Sequence, residues 1–256
     1  MTSVDYAIDG APTGPPIVLS GSLGSDMRMW EPQVRAFSAA GYRVVRYDHR
    51  GHGRSPVPPG PYSVADLASD TLALLDRLGI DRAHFVGLSL GGMVGLWLGG
   101  NAPERVRTLT LCCTSAQLGP PSLWADRAAL VRAEGTAAIA VAAVQRWFTP
   151  EWRAADPERT RFYEDMVAAV PAEGYASCCA AIETMDQTAL LPTIGAPTLV
   201  IAGADDPATP PAHGRRIADA IPHARLEIID SAAHLATAEQ SDLINDLILG
   251  HLKENS

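Results

Sequence analysis

The chain has a single lysine, Lys253, so nearly all of its positive charge is arginine. Its formal net charge is −9, and it therefore lacks the cationic footprint that nucleic acid or an anionic membrane surface requires; neither is expected as a partner. No window of 18 or more apolar residues occurs, so no membrane-spanning helix is expected. The stretch Met1-Thr2-Ser3-Val4-Asp5 lacks a basic-then-apolar leader, and the expected location is cytoplasmic. Cysteine is scarce, with four residues in two adjacent pairs, Cys112-Cys113 and Cys178-Cys179. Neighbouring cysteines rarely bridge each other, and neither C-x-x-C nor H-x-x-x-H spacing exists. The four read as buried free thiols, and no metal site is expected.

What is present is 256 residues, 47% of them apolar, enough for one large α/β core with an inserted segment. Short β-rich runs recur at residues 16–20, 42–47, 83–88, 107–112, 198–202 and 226–229, with a further N-terminal strand expected over 4–8. They are continuous rather than alternating in apolarity, as strands covered on both faces are. The clearest helical pattern lies between them at 63–78. Ser63 with Asp66 resembles a capping box there, Val64, Leu67, Thr71, Leu74, Leu75 and Leu78 form one stripe, and Gly79 stops the helix. Alternating strand and helix imply a mostly parallel, doubly wound sheet. The alternation breaks from about 119 to 192, where Ala-rich helical segments at 136–148 and 159–170 run without a strand, bracketed by Pro120-Pro121 and Pro192. This insertion is expected to cap the carboxyl edge of the sheet, where such folds bind ligands. The division is then a core of 1–118 and 193–256 and a helical cap of 119–192.

The strand-like run Ala83-His84-Phe85-Val86 leads into Gly87-Leu88-Ser89-Leu90-Gly91 and then an apolar helical stretch. That context is the nucleophile elbow, in which a sharp strand-to-helix reversal strains the serine and flanking glycines leave room for the backbone. A serine hydroxyl is a poor nucleophile at neutral pH, so Ser89 needs a histidine and a carboxylate from loops after later strands. Of the seven histidines, five precede the end of the final strand and His251 ends the last helix, so only His234 lies in the loop just after that strand. Asp205 and Asp206 both follow the strand at 198–202, and periodicity does not separate them; either could instead cap the helix after Pro210-Pro211. Serine, aspartate, histidine is the chain order of α/β-hydrolases. The oxyanion donors are expected to be the amides of Leu90 and, counting back from Trp30, Leu23 in the loop Gly21-Ser22-Leu23-Gly24. The turn-rich segment Asp48-His49-Arg50-Gly51-His52-Gly53-Arg54-Ser55 reads as structural, with Asp48 and Arg50 bracing the backbone.

With these motifs the chain resembles the α/β-hydrolase superfamily and, within it, the 3-oxoadipate enol-lactonases of aromatic-compound catabolism. The resemblance covers nearly the whole chain: Leu19 to Gly24 with Met29-Trp30, the elbow, Trp124 with Arg127, Arg146-Trp147-Phe148-Thr149, Gly174-Tyr175-Ala176 with Cys178-Cys179, and Ala233-His234-Leu235. Gly21 and His49 depart from the family's usual residues. The family pattern D-x-x-T-P matches Asp206 to Pro210 and selects Asp206. The resemblance implies about eight strands with the cap inserted after the sixth, and a triad of Ser89, Asp206 and His234. It implies no metal or organic cofactor. The implied reaction opens the lactone ring of 3-oxoadipate enol-lactone through an acyl-enzyme.

Because that substrate is an anion meeting a protein of charge −9, a local cation is expected to hold it: Arg127 or Arg146, with Trp124 and Trp147 walling the ring. A general carboxylesterase or a cofactor-free perhydrolase would share the site, and a non-catalytic ligand-binding module would share the fold.

Overall fold

The computed structural model describes residues 3–255. The apolar runs become strands β1 (Tyr6–Gly10), β2 (Pro16–Ser20), β3 (Arg43–Tyr47), β4 (Ala83–Leu88), β5 (Val106–Cys112), β6 (Thr198–Gly203) and β7 (Arg225–Ile229). They form one sheet in the order β1-β3-β2-β4-β5-β6-β7, parallel except where β1 pairs antiparallel with β3. Every residue of β4 and β6 is buried, which accounts for their unbroken apolarity. Edge strand β1 has no buried residue, so its sequence signal is weak.

The described residues thus hold seven strands where the resemblance implies about eight, and the inserted helices follow the fifth strand rather than the sixth. β1 is the edge of the sheet and pairs only with β3, and residues 3–5 ahead of it form no strand.

Helices α1 (Glu31–Ala39), α2 (Val64–Arg77) and α3 (Leu90–Asn101) alternate with the first strands. The start of α2 carries the full capping box: Ser63 Oγ accepts from the Asp66 amide at 3.1 Å, and Asp66 Oδ2 accepts from the Ser63 amide at 2.9 Å. Two polar residues on its buried face are both satisfied. Thr71 pairs with the Tyr47 hydroxyl at 2.8 Å, and Asp70 holds Arg50 through two bonds of 2.6 and 2.7 Å.

Five helices, α4 (Pro121–Glu134), α5 (Ala137–Trp147), α6 (Pro150–Ala155), α7 (Pro157–Ala168) and α8 (Ala172–Glu183), lie between β5 and β6. Proline opens α4, α6 and α7, where its missing N–H is no loss, and Thr149 and Asp156 cap α6 and α7 through their side chains. α4 packs on α8 and α5 on α7. The insertion meets the rest of the fold at Gly51 and Gly174, where a Cβ on Gly174 would stand 2.2 Å from the Gly51 carbonyl oxygen. Only glycine allows so close an approach of two backbones. The chain ends with α9 (Pro211–Ala220), α10 (Ala236–Glu239) and α11 (Ser241–Glu254), which packs on α1. All four cysteines are free and buried.

Candidate active site

Strand β4 ends at Leu88, and Ser89 turns the chain into α3 with φ 56° and ψ −113°. That left-handed backbone is costly for a residue with a side chain and persists because its neighbours leave no alternative. The Ser89 amide donates to the Cys112 carbonyl at 2.9 Å, and its own carbonyl accepts from Thr114 Oγ1 at 2.7 Å. A Cβ on Gly91 would lie 2.0 Å from the Ser20 carbonyl oxygen, and one on Gly87 would lie 2.2 Å from that of Gly91. The elbow glycines therefore let α3 start hard against the sheet.

Ser89 Oγ stands 2.9 Å from His234 Nε2, and His234 Nδ1 stands 2.8 Å from Asp206 Oδ2. All three residues are buried. A carboxylate only accepts, so Nδ1 carries the proton and Nε2 presents its lone pair to the serine hydroxyl. Asp206 is held by three further donors: the amides of Ala208 (2.8 Å) and Thr209 (3.0 Å) on Oδ1, and the Thr209 hydroxyl (2.7 Å) on Oδ2. Burial alone would push its carboxyl up, but the charge and hydrogen bond of His234 together with the Thr209 donors outweigh it and hold the group below its usual range. Asp205, its neighbour, is exposed. The set can deprotonate a serine hydroxyl while it attacks an acyl carbon.

The loop after β2 is anchored on both sides of Leu23. The Gly21 carbonyl accepts from the Gly91 amide at 2.9 Å and from His49 Nε2 at 3.1 Å, and the Gly24 amide donates to His52 Nε2 at 3.0 Å. His52 must be neutral to accept, and burial does lower its pKa to about 4; burial and the neighbouring His52 lower that of His49 to about 3. Leu90 is the first residue of α3, so its amide has no acceptor within the helix. Asp48 and Arg50 do brace this region. Asp48 accepts from the amides of Met27 (2.7 Å) and Arg54 (2.9 Å), while Arg50 grips Asp70.

A cavity of about 260 Å³ opens over Ser89 and His234. Ser22, Leu23, Trp124, Arg127, Arg146, Trp147 and Tyr175 line it, so the four insertion residues singled out from the sequence all face the same space as the serine. Arg127 lies over the Trp124 ring at 5.3 Å. Trp147 also packs edge-on against Tyr163. The Arg146 guanidinium is held below its usual range by burial and then by the Arg127 charge, opposed only by Tyr175; no carboxylate among the described residues balances it.

The chain matches, over residues 15–240, the family described as the alpha/beta hydrolase fold, and it belongs to that family. It is a hydrolase. It is 40% identical over 251 residues to 3-oxoadipate enol-lactonase 2 of Acinetobacter baylyi, covering 98% of this chain and 93% of that protein. A crystal structure of the enol-lactonase from Burkholderia xenovorans LB400 superposes with a TM-score of 0.96 at 42% identity, covering 98% and 97% of the two chains. A candidate carbamate hydrolase, RutD, of Stutzerimonas stutzeri is 34% identical over 248 residues, covering 95% and 93%.

Two side chains near the reacting groups have roles that the sequence does not announce. His52 falls in the turn-rich segment Asp48 to Ser55, read as structural, and reaches the loop after β2 from 28 residues away; Glu239 receives the amide of Ala233, next to His234, at 2.8 Å. Each acts on a partner that only the folded chain brings near.

Proposed function

We propose that the chain hydrolyses the ring ester of 3-oxoadipate enol-lactone, releasing 3-oxoadipate in the breakdown of aromatic compounds. The observation that carries this reading is the pair of arginines, Arg127 and Arg146, in a small cavity shared with Ser89 and unbalanced by any carboxylate among the described residues. Both are half-buried, and a partly desolvated cation without a counter-ion carries a cost that an anionic substrate removes. The cavity of about 260 Å³ is small beside the roughly 300–1,000 Å³ of pockets for drug-sized ligands, which favours a compact lactone. Identity to enol-lactonases over nearly the whole chain supports the same substrate.

Ser89 Oγ attacks the ring carbonyl carbon while His234 Nε2 takes the hydroxyl proton, and Asp206 stabilises the resulting imidazolium. The amides of Leu23 and Leu90 receive the developing oxyanion. Collapse breaks the ring C–O bond, and the departing enolate takes the proton held on His234 and becomes the ketone, which leaves the imidazole neutral for the next step. The enolate's stability makes leaving-group protonation less demanding than in amide cleavage. Water, deprotonated by His234, then cleaves the acyl-enzyme and restores the Ser89 hydroxyl. Trp124 and Trp147 wall the ring, Arg127 and Arg146 hold the acetate arm, and residues 119–192 act as the cap that carries all four. No organic cofactor or metal enters these steps. A cytoplasmic location fits four unbridged cysteines.

The test is the ultraviolet loss of enol-lactone absorbance with wild type and Ser89→Ala. Turnover by wild type and none by the variant is expected. Turnover of a neutral p-nitrophenyl ester or a carbamate with a kcat/KM above that for the lactone would replace the substrate assignment.

A further inference from the structure

The residues on either side of His234 are tied to the helical insertion. The Leu235 amide donates to the Trp147 carbonyl at 2.8 Å, and the Ala233 amide donates to Glu239 Oε2 at 2.8 Å. The other oxygen of the same carboxylate, Oε1, accepts from the Thr149 amide at 2.9 Å and from the Thr149 hydroxyl. Thr149 closes the corner between α5 and α6, two residues beyond Trp147 and three beyond Arg146. Glu239 is half-buried and has no ion-pair partner among the described residues, so these donors are the protein groups that hold its carboxylate.

We propose that Glu239 is a positioning residue that sets the register between the substrate-holding helix α5 and the loop carrying His234. Each oxygen of the carboxylate serves one half of the site. Oε2 fixes the backbone beside the imidazole, and Oε1 fixes the end of the helix that presents Arg146 and Trp147. The three donors around it require an acceptor on both sides, which a glutamine cannot supply: whichever way its amide turns, an NH₂ group faces an N–H. Displacement then spreads to both halves at once, and misplacement on the order of 1 Å in such a site costs up to about 100-fold in rate. The inference rests on Ser89 and His234 being the reacting pair, not on which ester they cleave.

The experiment compares the full-length wild type with Glu239→Gln, Thr149→Val, Thr149→Ser and the double variant E239Q/T149V. Two readouts separate the halves. The rate of Ser89 labelling by a neutral fluorophosphonate reports the histidine loop, and KM for an anionic p-nitrophenyl half-ester of succinic acid reports the cap arginines. E239Q should slow labelling about tenfold and raise KM about tenfold. T149V should raise KM while labelling stays within about twofold, T149S should match wild type because it keeps both donors, and the double variant should be no worse than E239Q. Both readouts unchanged in E239Q, or effects that multiply in the double variant, would overturn the proposal. If E239Q fails to fold, equal KM values for T149V and T149S overturn it. Wild type that resists labelling overturns it together with the Ser89–His234 reading, whereas labelling without lactone turnover removes only the lactone.

Discussion

Replacing Asp206 by asparagine changes one atom and should cost nearly all of the activity. The side chain is fully buried and takes donors on both oxygens, so the amide cannot relax into solvent. Its oxygen is best kept on the Oδ1 side, where the Ala208 and Thr209 amides donate at 2.8 and 3.0 Å. The NH₂ group then points at His234 Nδ1, where a carboxylate oxygen accepted at 2.8 Å. An amide nitrogen only donates, so the imidazole must accept at Nδ1 and carry its proton on Nε2. That proton faces Ser89 Oγ at 2.9 Å, and the base is blocked. A forced tautomer of this kind lowers kcat by about 10⁴-fold in a serine protease, or about 5.5 kcal/mol of barrier. Steady-state turnover of the lactone, with a thermal melt to show that the fold survives, measures it. A loss below about 100-fold with an intact fold would show that the tautomer argument is wrong.

Arg127→Ala and Arg146→Ala should each raise KM for the anionic lactone by about 10- to 100-fold and leave a neutral ester nearly unaffected, as expected for the loss of a charge-assisted contact; unchanged KM in both would remove them from the site. Gly91→Ala would drive a Cβ to 2.0 Å from the Ser20 carbonyl oxygen in a central strand, so urea unfolding should show a loss of about 3 kcal/mol or more. Stability should fall as the medium is acidified from pH 7 to pH 5. His49, His52 and His84 titrate at about 3, about 4 and about 4 in the fold against 6.5 in the ordinary group, so the unfolded chain binds more protons below about 6.5. Asp48, raised to about 6 by burial, acts in the opposite sense between its ordinary 3.8 and 6. Three groups against one leave a net slope on the order of 2 to 3 kcal/mol per pH unit near pH 5. Urea midpoints at the two pH values check the sign, and His52→Gln should flatten the slope by about half.

The parts of the fold legible from sequence are those where one local stretch dictates its own geometry. The elbow is fixed by glycines within four residues of one another, and α2 by a cap and a stripe inside a single helix. The insertion was legible as helical from its alanine content, and segments 136–148 and 159–170 correspond to α5 and α7 within two residues at each end. Its five-helix pairing was not, since α4 meets α8 across a long stretch of chain. Asp205 and Asp206 look alike in the sequence because both follow β6. Only the direction in which the chain turns there buries one and exposes the other. The count of strands failed at the edge, where β1 is half exposed and pairs on one side only, with β3. The role of His52 was legible only as part of a turn-rich segment, and that of Glu239 not at all, because what they hold lies on other elements.

The contact between Gly51 and Gly174 bears on how a substrate gets in. With peptide atoms touching peptide atoms, there is no side-chain cushion to let α8 slide or tip over the loop after β3. The Leu235–Trp147 bond rivets the opposite flank in the same way. Both contacts resist hinge-like opening at these two points, and the bore of the opening over the serine is set by the residues that line it. Widening that opening should broaden the range of compounds admitted without touching the groups that react.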